Sequence, residues 1–282
     1  MKKTFQLIAV LVIAVLAFSS CNKPQEDQYF PKQRLTTISS VEDGMLMDIL
    51  YDGKYISQIY FDGEVMNVIY DGKQISEINM PSEHSKILFT YQGGKIVRID
   101  CFVNDVEYSY LVFTRNAKDK IKNVTRYVDL DSYDNWKKRC ESKLFGLVFD
   151  VKTFRNLLEM STSKGEFSAV MSQDWEYEGN NVVKTIETID VADESYLYTT
   201  TYEYDDCHNP FYGLPYVLGM TSSYSENNVV KTTTVSSWGN MTLSNSVITD
   251  VYTYDNNKYP LTRTTIRENG EQDDVVNFTY VK

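Results

Sequence analysis

The chain has 282 residues, with 39 acidic against 28 basic side chains and a formal net charge of −11 at neutral pH. The basic residues form no patch, so the surplus of acid excludes a nucleic-acid-binding protein, which needs a positive surface to meet phosphate. The length suits one large β domain as well as two smaller ones.

The N-terminus reads as a targeting segment. Lys2 and Lys3 precede an unbroken uncharged run, Leu7 to Phe18, and then Ser19, Ser20 and Cys21. That run has the length of a signal-peptide core, ~7–15 residues, and falls short of the ~20 that a spanning helix requires. Small residues directly before a cysteine resemble a lipobox, although Phe18 stands where a lipobox usually has Leu. Residues 1–20 are therefore expected to be a signal peptide and Cys21 the lipidation site. Residues 21–34 follow as a flexible tether. Pro24, Pro31 and several charges leave this stretch too little apolar surface to order itself. Glu26 and Asp27 resemble the acidic tag that sends Bacteroidetes lipoproteins to the cell surface.

Residues 35–282 are expected to form a single antiparallel β domain. Tyr51-Asp52-Gly53-Lys54 recurs as Phe61-Asp62-Gly63-Glu64 and Tyr70-Asp71-Gly72-Lys73, with a looser copy at Tyr91-Gln92-Gly93-Gly94-Lys95. Asp-Gly favours a two-residue type I′ turn, in which both residues take positive φ. The segments between, Met45 to Tyr51, Tyr55 to Phe61, Val65 to Tyr70 and Gln74 to Met80, are rich in Ile, Val, Met and Tyr. Met45, Met47, Ile49 and Tyr51 fall on one face. This is the pattern of a β-meander.

The middle of the chain differs. Val151, Phe154, Leu157, Leu158 and Ser161 fall at helical spacing, with Asp150 as N-cap and Gly165 beyond the end, so the pattern predicts one short helix near 151–162. Trp136 to Lys143 is charged and reads as a helical turn or an exposed loop. Cys101, Cys140 and Cys207 lack the Cys-x-x-Cys spacing of a zinc site. Either two of them pair, or all three are buried free thiols.

A second repeat follows at an offset of 47 residues. Tyr177 to Thr185 matches Tyr224 to Thr232, the last six residues of each being Asn-Asn-Val-Val-Lys-Thr. Thr201 to Asp205 matches Val251 to Asp255 at an offset of 50. Asn-Asn is expected to make the corner here, because Asn tolerates the left-handed region. Tyr196, Tyr198, Thr200, Tyr202 and Tyr204 alternate strictly, giving one strand an aromatic face. Asn277 to Val281 looks like the closing strand. A spacing of about ten to thirteen residues gives on the order of 14–18 strands. That many must curl or close to remove their edges. The fold class is thus all-β with minor α: a meander of tandem hairpins, curled or closed into a barrel.

On these motifs the chain resembles a family of Bacteroidetes lipoproteins, a domain of unknown function with a porin-like fold. The resemblance rests on Cys21, the Tyr-Asp-Gly-Lys hairpins, Asn209-Pro210-Phe211-Tyr212-Gly213-Leu214-Pro215, and Tyr254-Asp255-Asn256-Asn257-Lys258-Tyr259-Pro260. The hairpins are also similar to the tyrosine-aspartate repeats of large bacterial surface shells. The family implies a fold and no activity. Outer-membrane strands need ~9–11 residues with an apolar outward band, and the early strands here are shorter. The expectation is a soluble porin-like barrel with its apolar face inward.

No motif for a catalytic site, metal or cofactor is present. His208 follows Cys207, but neighbours along a strand point to opposite faces and make a poor dyad. His84 reads as a loop residue. Asp205 with Asp206, Asp273 with Asp274, and Asp129 with Asp131 lack EF-hand spacing and read as turn carboxylates. The tyrosines remain. Tyr196, Tyr198, Tyr202, Tyr204, Tyr252 and Tyr254 are the candidate ligand-contacting aromatics, stacking on sugar rings; the alternative is that Tyr simply suits a half-buried pleated surface. The sequence therefore points to an outer-membrane lipoprotein anchored through Cys21, with the cell surface favoured over the periplasmic side. Its expected role is a non-catalytic binding or interaction module for a glycan or an envelope protein. A polysaccharide hydrolase, which needs two carboxylates within ~10 Å, and a purely structural barrel are the alternatives.

Overall fold

The computed structural model describes residues 33–61, 63–129, 167–191, 194–214, 221–239 and 241–281. The signal peptide, Cys21, the tether up to residue 32, the 136–143 segment, Cys140 and the 151–162 helix lie outside the described residues.

Alternating apolar and polar residues, interrupted by glycine corners, produce sixteen strands among the described residues. The first half comprises β1 (Arg34–Ser40), β2 (Gly44–Asp52), β3 (Tyr55–Phe61), β4 (Glu64–Asp71), β5 (Gln74–Met80), β6 (Ser85–Gln92), β7 (Lys95–Val103), β8 (Val106–Arg115) and β9 (Ile121–Asp129). The second half comprises β10 (Phe167–Glu178), β11 (Asn181–Val191), β12 (Glu194–His208), β13 (Asn227–Trp238), β14 (Met241–Tyr254), β15 (Pro260–Arg267) and β16 (Val276–Val281). Each strand pairs with its neighbours in sequence, and β16 returns to pair antiparallel with β1, Ile38 lying opposite Phe278. The sheet is a closed antiparallel barrel. Closure removes the edges that a meander would otherwise expose.

The apolar face points inward. Leu35, Ile49, Ile59, Met66, Ile78, Ile99 and Val124 belong to one continuous buried cluster. A round barrel of this strand number would leave a channel. Here the inner face of β1 to β9 is filled. The outer wall is polar at mid-strand. Thr37 donates to Asp48, Gln58 to Asn67, and Asn123 to Asp174, at 3.0, 2.8 and 2.9 Å. Arg98 lies between Asp100 and Glu107 and stacks 3.7 Å over the Tyr110 ring, which stacks in turn on Tyr127. These polar pairs stand beside exposed apolar side chains such as Leu50, Ile69 and Val251, whereas a lipid-facing wall presents a continuous apolar band.

The hairpins share one irregularity. Ile56 and Ile59 are both buried although three residues apart, which plain strand alternation forbids. Ser57 is the extra residue of a β-bulge: Tyr51 pairs with Ile56 and Leu50 with Gln58. Thr36, Ser76, Val97, Val183 and Leu261 are the equivalent extra residues in β1, β5, β7, β11 and β15. A bulge adds local twist, which helps the sheet coil. It also disturbs the ladder, and a tyrosine hydroxyl from the next hairpin reaches the carbonyl just before it. Tyr51 donates to Leu35, Tyr91 to Ile75 and Tyr280 to Pro260, at 2.6, 2.8 and 2.7 Å, and Tyr204 does the same to Val182. At these four bulges the tyrosine stitches one hairpin to its neighbour at one end of the barrel, and at Val97 Arg115 takes that place, donating to the Ile96 carbonyl at 3.2 Å.

Three sequence expectations are corrected. The corners after Tyr51 and Tyr70 are not Asp-Gly type I′ turns. Asp52 pairs with Tyr55 and Asp71 with Gln74, so the loops are Gly53-Lys54 and Gly72-Lys73, with positive φ at glycine alone. That is the type II′ pattern. Two positive φ values occur together at Asn104-Asp105, between β7 and β8. The Asn-Asn pairs do not supply left-handed corners. Gly179 takes the positive φ before β11, and Asn227 begins β13 after a long connection. Instead the two copies clasp each other: Asn181 donates from Nδ2 to Asn227 Oδ1 at 3.0 Å, and the Asn227 backbone N–H donates back at 3.1 Å. Finally, Met45 leaves the inner row. It is 62% exposed, because Leu46 is an extra, bulged residue of β2: Met47 pairs with Ile38 but Met45 with Ser39, which breaks the phase between the two methionines.

The connection from β12 to β13 packs into the tyrosine end. Asn209, Leu214, Ser223 and Ser225 are buried there, and the Phe211 ring meets Phe278 edge-on at 6.1 Å.

Candidate binding site

The inner wall changes character along the second half of the barrel. Gln173, Glu187, Tyr198 and Ser236 lie opposite one another across β10 to β13, and Ser236 pairs with Ser244 on β14. Trp175, Thr185, Thr200 and Thr234 make the next row. On the other side, Ile189, Tyr196, Trp238 and Met241 form the rim. Trp175, Thr185 and Ile189 are buried, whereas the inner residues of β12, β13 and β15 are mostly half-exposed and β14 exposes Met241 to Ser246. This wall is therefore polar, aromatic and open, whereas the inner face of β1 to β9 is mostly apolar and packed, with Arg126 and Ser109 buried in it 3.4 Å apart.

Hydroxyls and rings alternate along it. Thr200 meets Thr234 at 3.1 Å, Ser236 meets Ser244 at 2.6 Å, and Thr185 meets the Tyr202 hydroxyl at 3.3 Å. The Tyr196 and Trp238 rings stack at the rim, centroids 5.3 Å apart. The acids fall into two kinds. Asp250 accepts from Thr265 and lies 3.9 Å from Arg263. Among the described residues Glu187 receives one hydrogen bond, from Gln173 Nε2 at 3.3 Å, and Gln173 in turn accepts from the Trp175 indole at 2.6 Å. Burial, only partly offset by Gln173, pushes the Glu187 carboxyl up to about 7.

This barrel is similar in structure to two solved proteins. One is a porin-like protein from Bacteroides vulgatus, with a TM-score of 0.53 and 13% identity over 88% of this chain and 99% of that one. The other is a porin-like protein from Bacteroides uniformis, with a TM-score of 0.53 and 12% identity over 92% of this chain and all of that one. The fold is porin-like. No family profile and no curated protein matches the sequence. At this identity the likeness establishes the fold alone.

Within the porin-like barrel the six sequence-predicted aromatics divide into two groups. Tyr196, Tyr198, Tyr202 and Tyr252 lie along the inner wall of β12 and β14. Tyr204 is engaged by the Val182 carbonyl and by Ser225 Oγ at 2.9 Å, and burial pushes its hydroxyl up to about 12. Tyr254 donates to Asp205. These last two are structural stitches at the tyrosine end. Asp205 also accepts from the backbone N–H groups of Cys207 and Asn228, at 2.9 and 3.1 Å.

The remaining candidates separate. Cys207 Sγ lies 3.7 Å from Asp206, while the His208 ring packs on Tyr259 at 4.9 Å, so the two do not act as a dyad. Asp206 is held by Lys258 at 2.6 Å, and this ion pair keeps its carboxyl below the usual range. Asp273 pairs with Arg267, and Asp274 receives the Glu42 N–H. Cys101 and Cys207 are free thiols. Among the described residues, no three His, Cys, Asp or Glu converge as metal ligands.

Sequence reasoning missed Glu187, Gln173 and Trp238. One signal was available. At the 47-residue offset the inward positions Thr232, Thr234 and Ser236 correspond to Thr185, Glu187 and Ile189, so an acid stands in one copy where a hydroxyl stands in the other.

Proposed function

We propose that this protein is a non-catalytic binding module of the cell envelope, anchored in the outer membrane by lipid on Cys21, with its ligand face on the inner wall of β11 to β15. The reading is carried by that one half-exposed row of tyrosines and hydroxyls inside an otherwise filled barrel. Rings that stack and hydroxyls that exchange hydrogen bonds are what a neutral sugar requires, so a glycan is the favoured ligand.

The hydrolase alternative gains little. Glu187 has the raised carboxyl that a general acid needs. Along its hydrogen-bonded row the residues are Gln173, Tyr198, Ser236 and Ser244, none of them acidic. Asp250 lies six residues further along β14, about 20 Å at the rise of a strand, beyond the ~10 Å within which glycosidase carboxylates work.

Two measurements test the reading. Palmitate labelling with membrane fractionation is expected to follow Cys21 and to be lost in Cys21→Ser. A glycan array probed with the full-length protein in detergent should show sub-millimolar binding to a defined sugar, weakened at least several-fold by Tyr198→Ala. A blank array would remove the glycan and shift the function to a structural one.

A further inference from the structure

The acid and the rim aromatics raise a more specific question. A carboxylate taken out of water is costly unless something of opposite charge meets it. Among the described residues, Gln173 is the only group that hydrogen-bonds to Glu187. Strand β11 packs against β10, β12 and the turn at 221–224. From β10 and β12 the side chains sharing its inner face nearby are Gln173, Trp175, Tyr196, Tyr198 and Thr200, and from the turn Tyr224 lies against Trp175 at 5.2 Å. None is a cation. Lys184, on the same strand, belongs to the outer face, where it pairs with Glu176 at 2.8 Å.

The surroundings of that carboxylate are rings. Tyr198 stands directly opposite Glu187, and one inward step toward the rim is the Tyr196–Trp238 stack, where Trp238 is 40% exposed. The faces of aromatic rings attract cations, most strongly where water is partly excluded. Arg126 on β9 is also turned inward, but it stands opposite Met171 and donates to Ser109 at 3.4 Å. A carboxylate beside aromatic faces, with no base on the strands that flank it and no cluster of oxygen ligands, fits neither a metal ion nor an anion.

We infer that Glu187, Tyr198 and the Tyr196–Trp238 stack form a site for an organic ammonium group. The inference deepens the ligand-face reading and rests on it for the location of the site. An ammonium carried by an amino sugar and one carried by a polyamine share this chemistry. In either case the carboxylate is the counter-ion and the rings enclose the carbon skeleton around the nitrogen.

Choline is the suitable first probe, because its quaternary charge does not titrate. Titrated into the full-length protein in detergent and followed by tryptophan fluorescence, it is expected to saturate. Glu187→Gln should weaken it roughly tenfold, and Trp238→Ala several-fold, as expected for loss of a counter-ion and of a ring. Trp238 stands at an exposed hairpin tip, so its variant reads the site even if the inner variant folds poorly. For the wild type, affinity should fall roughly tenfold from pH 8 to pH 6 as the carboxylate is protonated, and this dependence should vanish in Glu187→Gln. Spermidine and a glucosamine trimer then separate the two sources of the ammonium. Choline that fails to bind, or binds equally to wild type and Glu187→Gln, overturns the inference. The glycan array reads the parent proposal separately: sugar binding without choline binding sinks only the ammonium site, and loss of both sinks the ligand face.

Discussion

The direction in which this barrel faces can be tested with two isoleucines on neighbouring strands. Ile78 in β5 is fully buried and lies between Val68 and Ile87, themselves buried. Ile69 in β4 points outward, is 43% exposed, and lies opposite Glu77. Ile78→Ala removes three carbons, about 2.4 kcal/mol at ~0.8 kcal/mol each, and leaves a cavity among neighbours that cannot collapse, bringing the cost to about 3–4 kcal/mol. For a domain of this size that lowers Tm by roughly 6–16 °C. Ile69→Lys places a cation opposite Glu77 in water and should change stability by no more than about 0.5 kcal/mol. Urea unfolding of both variants in a Cys21→Ser background, without detergent, makes the comparison. A barrel whose outer wall met lipid would give the reverse: Ile69→Lys would cost about 2–4 kcal/mol. That outcome, or an Ile78→Ala cost below about 1 kcal/mol, would refute the orientation.

Three further predictions follow from particular groups. Tyr91→Phe leaves the Ile75 carbonyl without its hydroxyl partner and should cost about 1–2 kcal/mol by urea unfolding; a loss below about 0.3 kcal/mol would mean that the stitch is only geometric. Gly72 sits at φ +63° with open space around it, so Gly72→Ala should destabilise by about 1 kcal/mol through backbone strain alone, and Gly72→Asn by less. Burial raises the Glu187 carboxyl from its ordinary range to about 7. The native state therefore holds a proton that the unfolded chain has released, and stability falls as pH rises from about 4.5 to 7, by at most about 3 kcal/mol. Glu187→Gln should flatten that part of the profile, and an unchanged profile would place the carboxyl in water.

The architecture was legible because two signals agreed. Tyrosine-bearing segments of strand length recurred between glycine corners, and their number was too large for a flat sheet. The corner chemistry was not legible in detail, since Asp-Gly allows both a loop centred on itself and one shifted by a residue. The bulge settled it: Ile56-Ser57-Gln58-Ile59 reads as broken alternation until the pairing is known. The long connection after His208 was likewise hidden, because the second Asn-Asn copy looked like the first. For the candidate site, the strict alternation from Tyr196 to Tyr204 placed the aromatic face. It could not tell that Tyr204 is bound to its neighbours while Tyr198 faces Glu187. That distinction lies in cross-strand register, which one sequence does not carry.

The central claim is a ring closed by its first and last strands, with an apolar core packed against the inner face of its first nine. Amide–amide NOEs between Ile38 and Phe278, measured in detergent-free buffer on Cys21→Ser protein, test it most directly. The account predicts the cross-peak, together with slow hydrogen exchange in both β1 and β16. Fast exchange along β1 as a free edge, or a cross-peak that appears only in micelles, would contradict it.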